Sequence, residues 1–304
     1  MMKLNMLRRN VNIKMKIQTF NILAGNTSCN ANCPFCISKM TPKNGINSDM
    51  PKINWVNFKK ACLLAKVSLV NTVLITGKGE PLLYPEEITQ FLEVLQKYNF
   101  PLIELQTNAL VLGNDFESNI KRLKLWRELG LNTFVISIVH YRDERNREIY
   151  TPFGKYFDLV KLIENLHTIG FSVRLNCIML KNYIDSIVEV KKMIKFCKRN
   201  KVEQLTLKPV EIIDNPENKS IAENTKNLLL PKKTEKDIQR NLEKNAVRLR
   251  TLDFGGVVYD FDGQNVCMTD CMAHKPFSED LRQLIFFPDG HLRYDWRYAG
   301  AVLV

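Results

Sequence analysis

Apolar residues along this chain recur in two rhythms: short alternating runs, and longer stretches repeating every three to four residues. "KIQTFNI" reads as a first strand. "WVNFKKACLLAK" follows as a helix with Trp55, Phe58, Cys62 and Ala65 on one face. The alternation continues with "NTVLIT" as strand, "PEEITQFLEVLQKY" as helix and "LIELQ" as strand. "FESNIKRLKLWREL" is a helix stopped by Gly130, "TFVISIV" a strand, and "KYFDLVKLIENLHTI" a helix stopped by Gly170. "FSVRLNCIML", "IDSIVEVKKMIKFCK" and "EQLTLK" complete the series as strand, helix and sixth strand. Repeated strand–helix units predict a parallel sheet with right-handed crossovers. Six units are too few for a complete eight-stranded barrel, which leaves an open partial barrel or a doubly wound sheet. In both, the functional site is expected at the carboxyl ends of the strands.

The pattern changes after Pro216. "NPENKSIAENTKNLLLPKKTEK" is polar and loop-like, a helix follows near residues 234 to 248, and "GVVYDF", "LIFF" and "HLRYDW" read as short strands. This predicts a basic leader over residues 1–14, a core over 15–212 and a C-terminal extension over 213–304 that helps close the mouth of the core. A length of 304 residues at 45% hydrophobic content supports a large core. No apolar run reaches membrane-spanning length and no secretory signal pattern is present, so the chain is expected to be cytoplasmic. Net charge is +12, from 44 basic and 32 acidic residues. Most of that charge reads as solvated helix faces. No basic stripe with interleaved aromatics marks a nucleic-acid surface.

Eight cysteines are too dispersed for a disulfide framework, yet "CNANCPFC" gathers Cys29, Cys33 and Cys36 just after the first strand. A structural zinc site needs four ligands, and the first histidine is distant His140. A redox pair at Cys33 and Cys36 leaves Cys29 unexplained. A [4Fe–4S] cube held by three thiolates accounts for the odd number and leaves one iron open.

The spacing C-x3-C-x2-C after a first strand resembles the motif of the radical S-adenosylmethionine (SAM) enzymes. "TGKGEPLL" after the second strand resembles that family's GGEP turn, with Lys78 between Gly77 and Gly79. The resemblance implies a partial (β/α)6 TIM-like barrel with a C-terminal extension, an oxygen-sensitive [4Fe–4S] cluster on Cys29, Cys33 and Cys36, and SAM as cofactor. It implies a SAM pocket made by Phe35, Gly77, Gly79, Glu80, Thr107, Ser137 and Asn176. Glu80 would receive the methionine ammonium and Phe35 would pack by the adenine. It also implies cleavage of SAM to a 5′-deoxyadenosyl radical that abstracts hydrogen from a substrate. An acidic electron donor such as flavodoxin or ferredoxin is expected.

Within the family, residues 136 to 180 are most similar to the GTP 3′,8-cyclase branch of molybdenum-cofactor biosynthesis. That branch carries a second cluster on three tail cysteines. Here Cys267 and Cys271 are spaced by three residues, not two, and Asp295 stands where the third cysteine is expected. Ile22 and Leu74 replace two family arginines, and Ala273, His274 and Lys275 replace a basic triplet. Arg174, which shares a strand face with Asn176, keeps a basic residue where the cyclases grip their substrate. GTP cyclisation itself is therefore not expected. Arg174, Cys267 and Cys271 are the candidate catalytic residues. Three readings of the two tail cysteines stay open: ligands of a second Fe–S cluster, a hydrogen-atom donor in the substrate pocket, or ordinary buried thiols. The expected substrate is a small nucleotide-like or phosphorylated molecule. A peptide precursor is the runner-up, and a non-catalytic zinc-binding module is the rival of a different class. Cys62, Cys177 and Cys197 are expected in the core.

Overall fold

The structure, a computed structural model, describes residues 16–253, 255–270 and 280–303. The leader, Cys271 and the Ala273–Lys275 triplet lie outside the described residues. The first half of the core runs β1 (Ile17–Leu23), α1 (Ile37–Met40), α2 (Trp55–Val67), β2 (Thr72–Thr76), α3 (Pro85–Leu95), β3 (Leu102–Thr107), α4 (Leu110–Asn114) and α5 (Phe116–Glu128). It continues with β4 (Thr133–Ile138), α6 (Asp143–Tyr150), α7 (Leu159–Ile169), β5 (Ser172–Met179), α8 (Ile187–Arg199) and β6 (Gln204–Pro209). The extension contributes α9 (Lys219–Lys226), α10 (Lys232–Asn245), β7 (Val247–Thr251), β8 (Val257–Phe261), β9 (Gln264–Met268), β10 (Leu281–Phe286) and β11 (Leu292–Arg293).

Strands β1 to β6 lie side by side in chain order, all parallel, as six βα units require. The extension is not set apart from this sheet. β9 adds in parallel beside β6, and β10 adds in parallel beside β1. β8 and β7 then continue antiparallel from β9. The described residues thus form one eleven-stranded sheet with β11 and β7 at its edges. It curls round a single cavity of about 1020 Å³ whose lining comes from β1 to β10. Near the open seam, Gln18 of β1 donates to the Asp253 carboxylate beyond β7 at 2.9 Å.

Period-two alternation decides which side chains face the cavity. On β5, Val173, Leu175, Cys177 and Met179 are buried against the helices, while Arg174, Asn176 and Ile178 line the cavity. On β6, Leu205 and Leu207 point outward, and Gln204, Thr206 and Lys208 inward. The outer face is aliphatic and aromatic: Phe58 of α2 packs on Phe20 of β1 and Phe286 of β10 with ring centroids 6.2 and 4.9 Å apart. Each such side chain contributes about 1.5–3 kcal/mol on burial. Cys62, Cys177 and Cys197 are fully buried core residues. No helix among the described residues is long and apolar enough to cross a membrane.

Several boundaries differ from the sequence reading. α7 begins at Leu159 because the Asp158 carboxylate caps it, accepting from the Lys161 N–H at 2.9 Å. α8 begins after Ser186 for the same reason. The helix expected near 234–248 spans Lys232–Asn245, and residues 247–251 are strand. "HLRYDW" supplies only the two-residue β11.

Candidate active site

The three motif cysteines enter through a loop that leaves β1 under tight control. The Ala24 N–H donates to the Thr76 carbonyl at 2.8 Å, which carries the β1–β2 ladder past the strand end. Gly25 then turns at φ +72°, with its N–H on the Glu87 carboxylate at 3.0 Å. A Cβ there would sit 1.9 Å from the Tyr84 ring. Asn26 braces the turn: its Oδ1 accepts from the Ser28 N–H (2.7 Å) and the Tyr84 hydroxyl, and its Nδ2 donates to the Ser48 carbonyl (2.6 Å). On the outside, the Asn32 N–H donates to the Tyr150 carbonyl at 2.9 Å, and the Phe153 N–H to the Asn30 carbonyl at 3.1 Å.

Cys29, Cys33 and Cys36 all line the one cavity and all carry free thiols. They are close enough for the charges of Cys36 and Cys29 to act on Cys33. Burial pushes Cys29 up to about 11 and Cys33 higher still. A bound metal would reverse this, because a coordinating thiol is deprotonated outright. Among the described residues, no three His, Cys, Asp or Glu side chains converge as ligands of a single metal ion would. Three thiols on one cavity suit a cube, which takes one thiolate at each of three corners.

The turn after β2 comes up against this loop. The Glu80 N–H donates to the Ser28 carbonyl at 2.9 Å. A Cβ on Gly79 would stand 1.9 Å from that same carbonyl oxygen, so only glycine admits this approach. Gly77 is tight as well, 3.0 Å from the Ala24 carbonyl oxygen. The Glu80 carboxylate is buried and accepts from the Leu82 N–H (3.0 Å), the Asn108 N–H (2.9 Å) and the Thr107 hydroxyl. Burial outweighs these three donors and lifts Glu80 to about 7. A cation delivered to it would restore its charge. Asn108 also reaches the cysteine loop, donating to the Asn30 Oδ1 at 2.7 Å and lying 3.6 Å from the Cys29 sulfur. Lys78 sits behind two residues of the cavity lining, Thr41 and Trp296. Its buried ammonium lies 2.6 Å from the Thr41 hydroxyl and 5.9 Å from the Trp296 ring centre, and burial lowers it to about 8.

Gly77, Gly79, Glu80, Thr107, Ser137, Asn176, Arg174 and Cys267 join the three cysteines in the cavity lining. Asn176 is buried, and among the described residues its Oδ1 has no hydrogen-bond partner. An orphaned acceptor on a cavity wall is a place for a ligand donor. Phe35 is buried, its ring edge-on to Tyr150 with centroids 6.1 Å apart. His140 is buried outside the cavity, its Nδ1 accepting from the Arg142 N–H at 3.0 Å. Asp295 lines the cavity but is held by Arg297 at 2.8 Å.

Sequence reasoning missed Asn26 and Asn30, which shape the loop, and Lys208, Arg282 and Trp296, which line the cavity. Lys208 was legible in the alternation Gln204, Thr206, Lys208. The loop asparagines carry no periodic signal.

A model of the radical SAM superfamily matches residues 26–197, more than half of the chain. The chain is 27% identical over 191 residues to a GTP 3′,8-cyclase of Aquifex aeolicus, covering 61% of this chain and 54% of that protein. It is 26% identical over 195 residues to a probable dual-specificity RNA methyltransferase RlmN of Chlorobium phaeobacteroides, covering 60% and 52%. It therefore spans about half the length of the curated relatives it matches. Streptococcus suis SuiB bound to S-adenosylmethionine has the same fold, with a TM-score of 0.58 at 16% identity, over 91% of this chain and 60% of that one. With three clustered thiols, a buried carboxylate and a glycine turn meeting at the carboxyl ends of an open parallel barrel, the chain belongs to the radical SAM superfamily.

Proposed function

We propose that Cys29, Cys33 and Cys36 hold a [4Fe–4S] cluster with one iron left for SAM, and that the chain uses this pair to abstract hydrogen from a small nucleotide-like or phosphorylated molecule. The observation that carries the reading is the meeting of three thiols, Glu80 and the orphaned Asn176 acceptor on one cavity. When bound, the two cofactors would supply a one-electron cleavage of the sulfonium and a carbon radical that takes hydrogen from the substrate.

The chain's own residues prepare for this. Glu80 keeps an acceptor face for the methionine ammonium, and Thr107 and Asn108 hold its carboxylate in place. Gly77 and Gly79 let the turn after β2 come close to the backbone that leads into the cysteines, where an added Cβ would stand 3.0 and 1.9 Å from carbonyl oxygens. Ser137 and Asn176 sit side by side on β4 and β5 and offer a hydroxyl and an amide to the nucleoside. Excess positive charge on the chain favours an acidic one-electron donor, and reduced thiols suit the cytoplasm.

The substrate class is supported by the basic side chains Arg174, Lys208 and Arg282 among the cavity lining, which a phosphorylated molecule could meet. Reduction of the reconstituted protein with dithionite in the presence of SAM should release 5′-deoxyadenosine. Substituting any of the three cysteines by alanine should abolish that release. Equal release from the variants would contradict the assignment.

A further inference from the structure

Two amides in the cavity lining are held to each other and left half-satisfied. Asn21 lies on the inward face of β1, two residues before the strand ends at Leu23, and is only 4% exposed. Gln283 lines the cavity from β10, the strand paired with β1. The Asn21 Nδ2 donates to the Gln283 Oε1 at 2.8 Å, and the Trp296 indole N–H donates to the same oxygen at 3.0 Å. Trp296 is itself braced, its ring centre 6.3 Å from that of Phe287 and 5.9 Å from the Lys78 ammonium. One alternation below Asn21, the Thr19 hydroxyl is spent on the Arg282 carbonyl at 3.2 Å.

These contacts fix which way each amide is turned. An indole N–H can only donate, so the Gln283 atom it meets is the oxygen. That oxygen can accept from Asn21 only if the Asn21 nitrogen faces it. The remaining atoms are therefore fixed in kind: an Asn21 Oδ1 that accepts and a Gln283 Nε2 that donates. Among the described residues the buried Asn21 Oδ1 has no hydrogen-bond partner, and the Gln283 Nε2 makes no hydrogen bond. A buried acceptor without a donor is costly unless a ligand supplies one.

We propose that Asn21 and Gln283 form a recognition site for the hydrogen-bonding edge of a nucleobase in the substrate. An N–H of the base meets the Asn21 Oδ1, and an adjacent carbonyl or ring nitrogen meets the Gln283 Nε2. The two free groups belong to amides already joined by a hydrogen bond, so one ring edge reaches both. Asn and Gln amides suit such edges because they pair a donor with an acceptor. A trans peptide unit points its N–H and C=O in opposite directions and answers only one of the two groups. Strands β2 and β3 separate this site from Ser137 of β4, which sets it apart from the nucleoside contacts of the proposed SAM pocket. The inference rests on the proposed function in taking the substrate to be nucleotide-like. The site itself needs neither cluster nor SAM.

Calorimetric titration of the full chain with inosine, cytidine and uridine, and with ribose as the sugar control, tests this. Uncharged nucleosides keep phosphate contacts out of the measurement. The wild type should bind at least one nucleoside with a dissociation constant of about 1 mM or lower, and ribose more weakly. Asn21→Leu and Gln283→Glu should each weaken that binding about tenfold or more, equivalent to about 1.4 kcal/mol. Gln283→Glu still accepts from Asn21 and Trp296 and loses only the free donor. Exposed Lys155→Gln should leave binding unchanged. Melting temperatures check that each variant is folded, and if Asn21→Leu fails to fold, Gln283→Glu decides. Absence of binding by all three nucleosides, equally tight binding of ribose, or unchanged affinity in either folded variant would overturn the proposal. Release of 5′-deoxyadenosine is measured separately. A chain that binds a nucleoside through Asn21 and Gln283 but cleaves no SAM contradicts the proposed function alone.

Discussion

Replacing Gly79 by alanine perturbs the point where the cysteine loop and the turn after β2 touch. The new Cβ would stand 1.9 Å from the Ser28 carbonyl oxygen, 2.7 Å from its carbon and 2.8 Å from the Asn26 carbonyl oxygen. These are backbone atoms, which cannot swing aside as a side-chain tip can. Real Cβ atoms stay beyond 3.0 Å, so the two segments must part by about 1.1 Å. That movement breaks the 2.9 Å bond from the Glu80 N–H to the Ser28 carbonyl, worth about 1 kcal/mol. Overpacking adds about 1–3 kcal/mol. The total, about 2–4 kcal/mol, should lower the melting temperature of the iron-free protein by roughly 3–6 °C. Because Glu80 moves with the turn, SAM affinity should fall as well. Gly154→Ala is the control, since nothing lies within 4 Å of its added Cβ. A Gly79→Ala protein that melts within about 2 °C of the wild type and binds SAM equally well would refute the claimed contact.

Three further outcomes follow from the same geometry. Glu80→Gln keeps the shape but turns an amide donor toward the Leu82, Thr107 and Asn108 donors and removes the charge proposed to receive the methionine ammonium. SAM affinity measured by titration should fall about tenfold or more, given the 1.5–3 kcal/mol of a charged hydrogen bond, while the fold persists. Burial holds His140 down at about 4 against an ordinary value of 6.5, and its Nδ1 must stay unprotonated to accept from Arg142. Between those values the unfolded chain binds the extra proton. Stability should therefore be lost as pH falls from 6.5 toward 4, by about 1–3 kcal/mol from this group. Urea unfolding of His140→Asn, whose carbonyl can replace Nδ1 as acceptor, should show a flatter loss over that range. An identical slope would remove His140 from the account. Cys177→Ala, a core change on the face of β5 turned away from the cavity, should cost stability but leave iron content at the wild-type level.

How much of this was legible in the sequence follows from what each element signals. The six βα units were readable because apolar period switches cleanly from two to near four, with glycine stops after α5 and α7. The cysteine loop was readable from spacing alone, and Arg174, Asn176 and Lys208 from alternation within their strands. The extension was harder. "YDFDGQNVCM" holds a hairpin signal, since Asp262 and Gly263 both turn at positive φ (+51° and +83°), the pattern of a tight two-residue turn. Overlooking that pair hid β9 and, with it, the place of Cys267 beside β6. Arg282 was hidden because its strand begins at Leu281, before the apolar run that marks it.

The central claim is a cluster held on three thiols with one corner open, and metal counting tests it most directly. Anaerobic reconstitution of the wild type should give about four irons and four sulfides per chain. Reduction should produce a low-temperature paramagnetic signal that changes shape when SAM is added. The Cys29→Ala/Cys33→Ala/Cys36→Ala protein should lose all three signs, while Cys267→Ala retains them. Stoichiometric zinc with no sulfide in the wild type, or an undiminished iron count in the triple variant, would contradict the account.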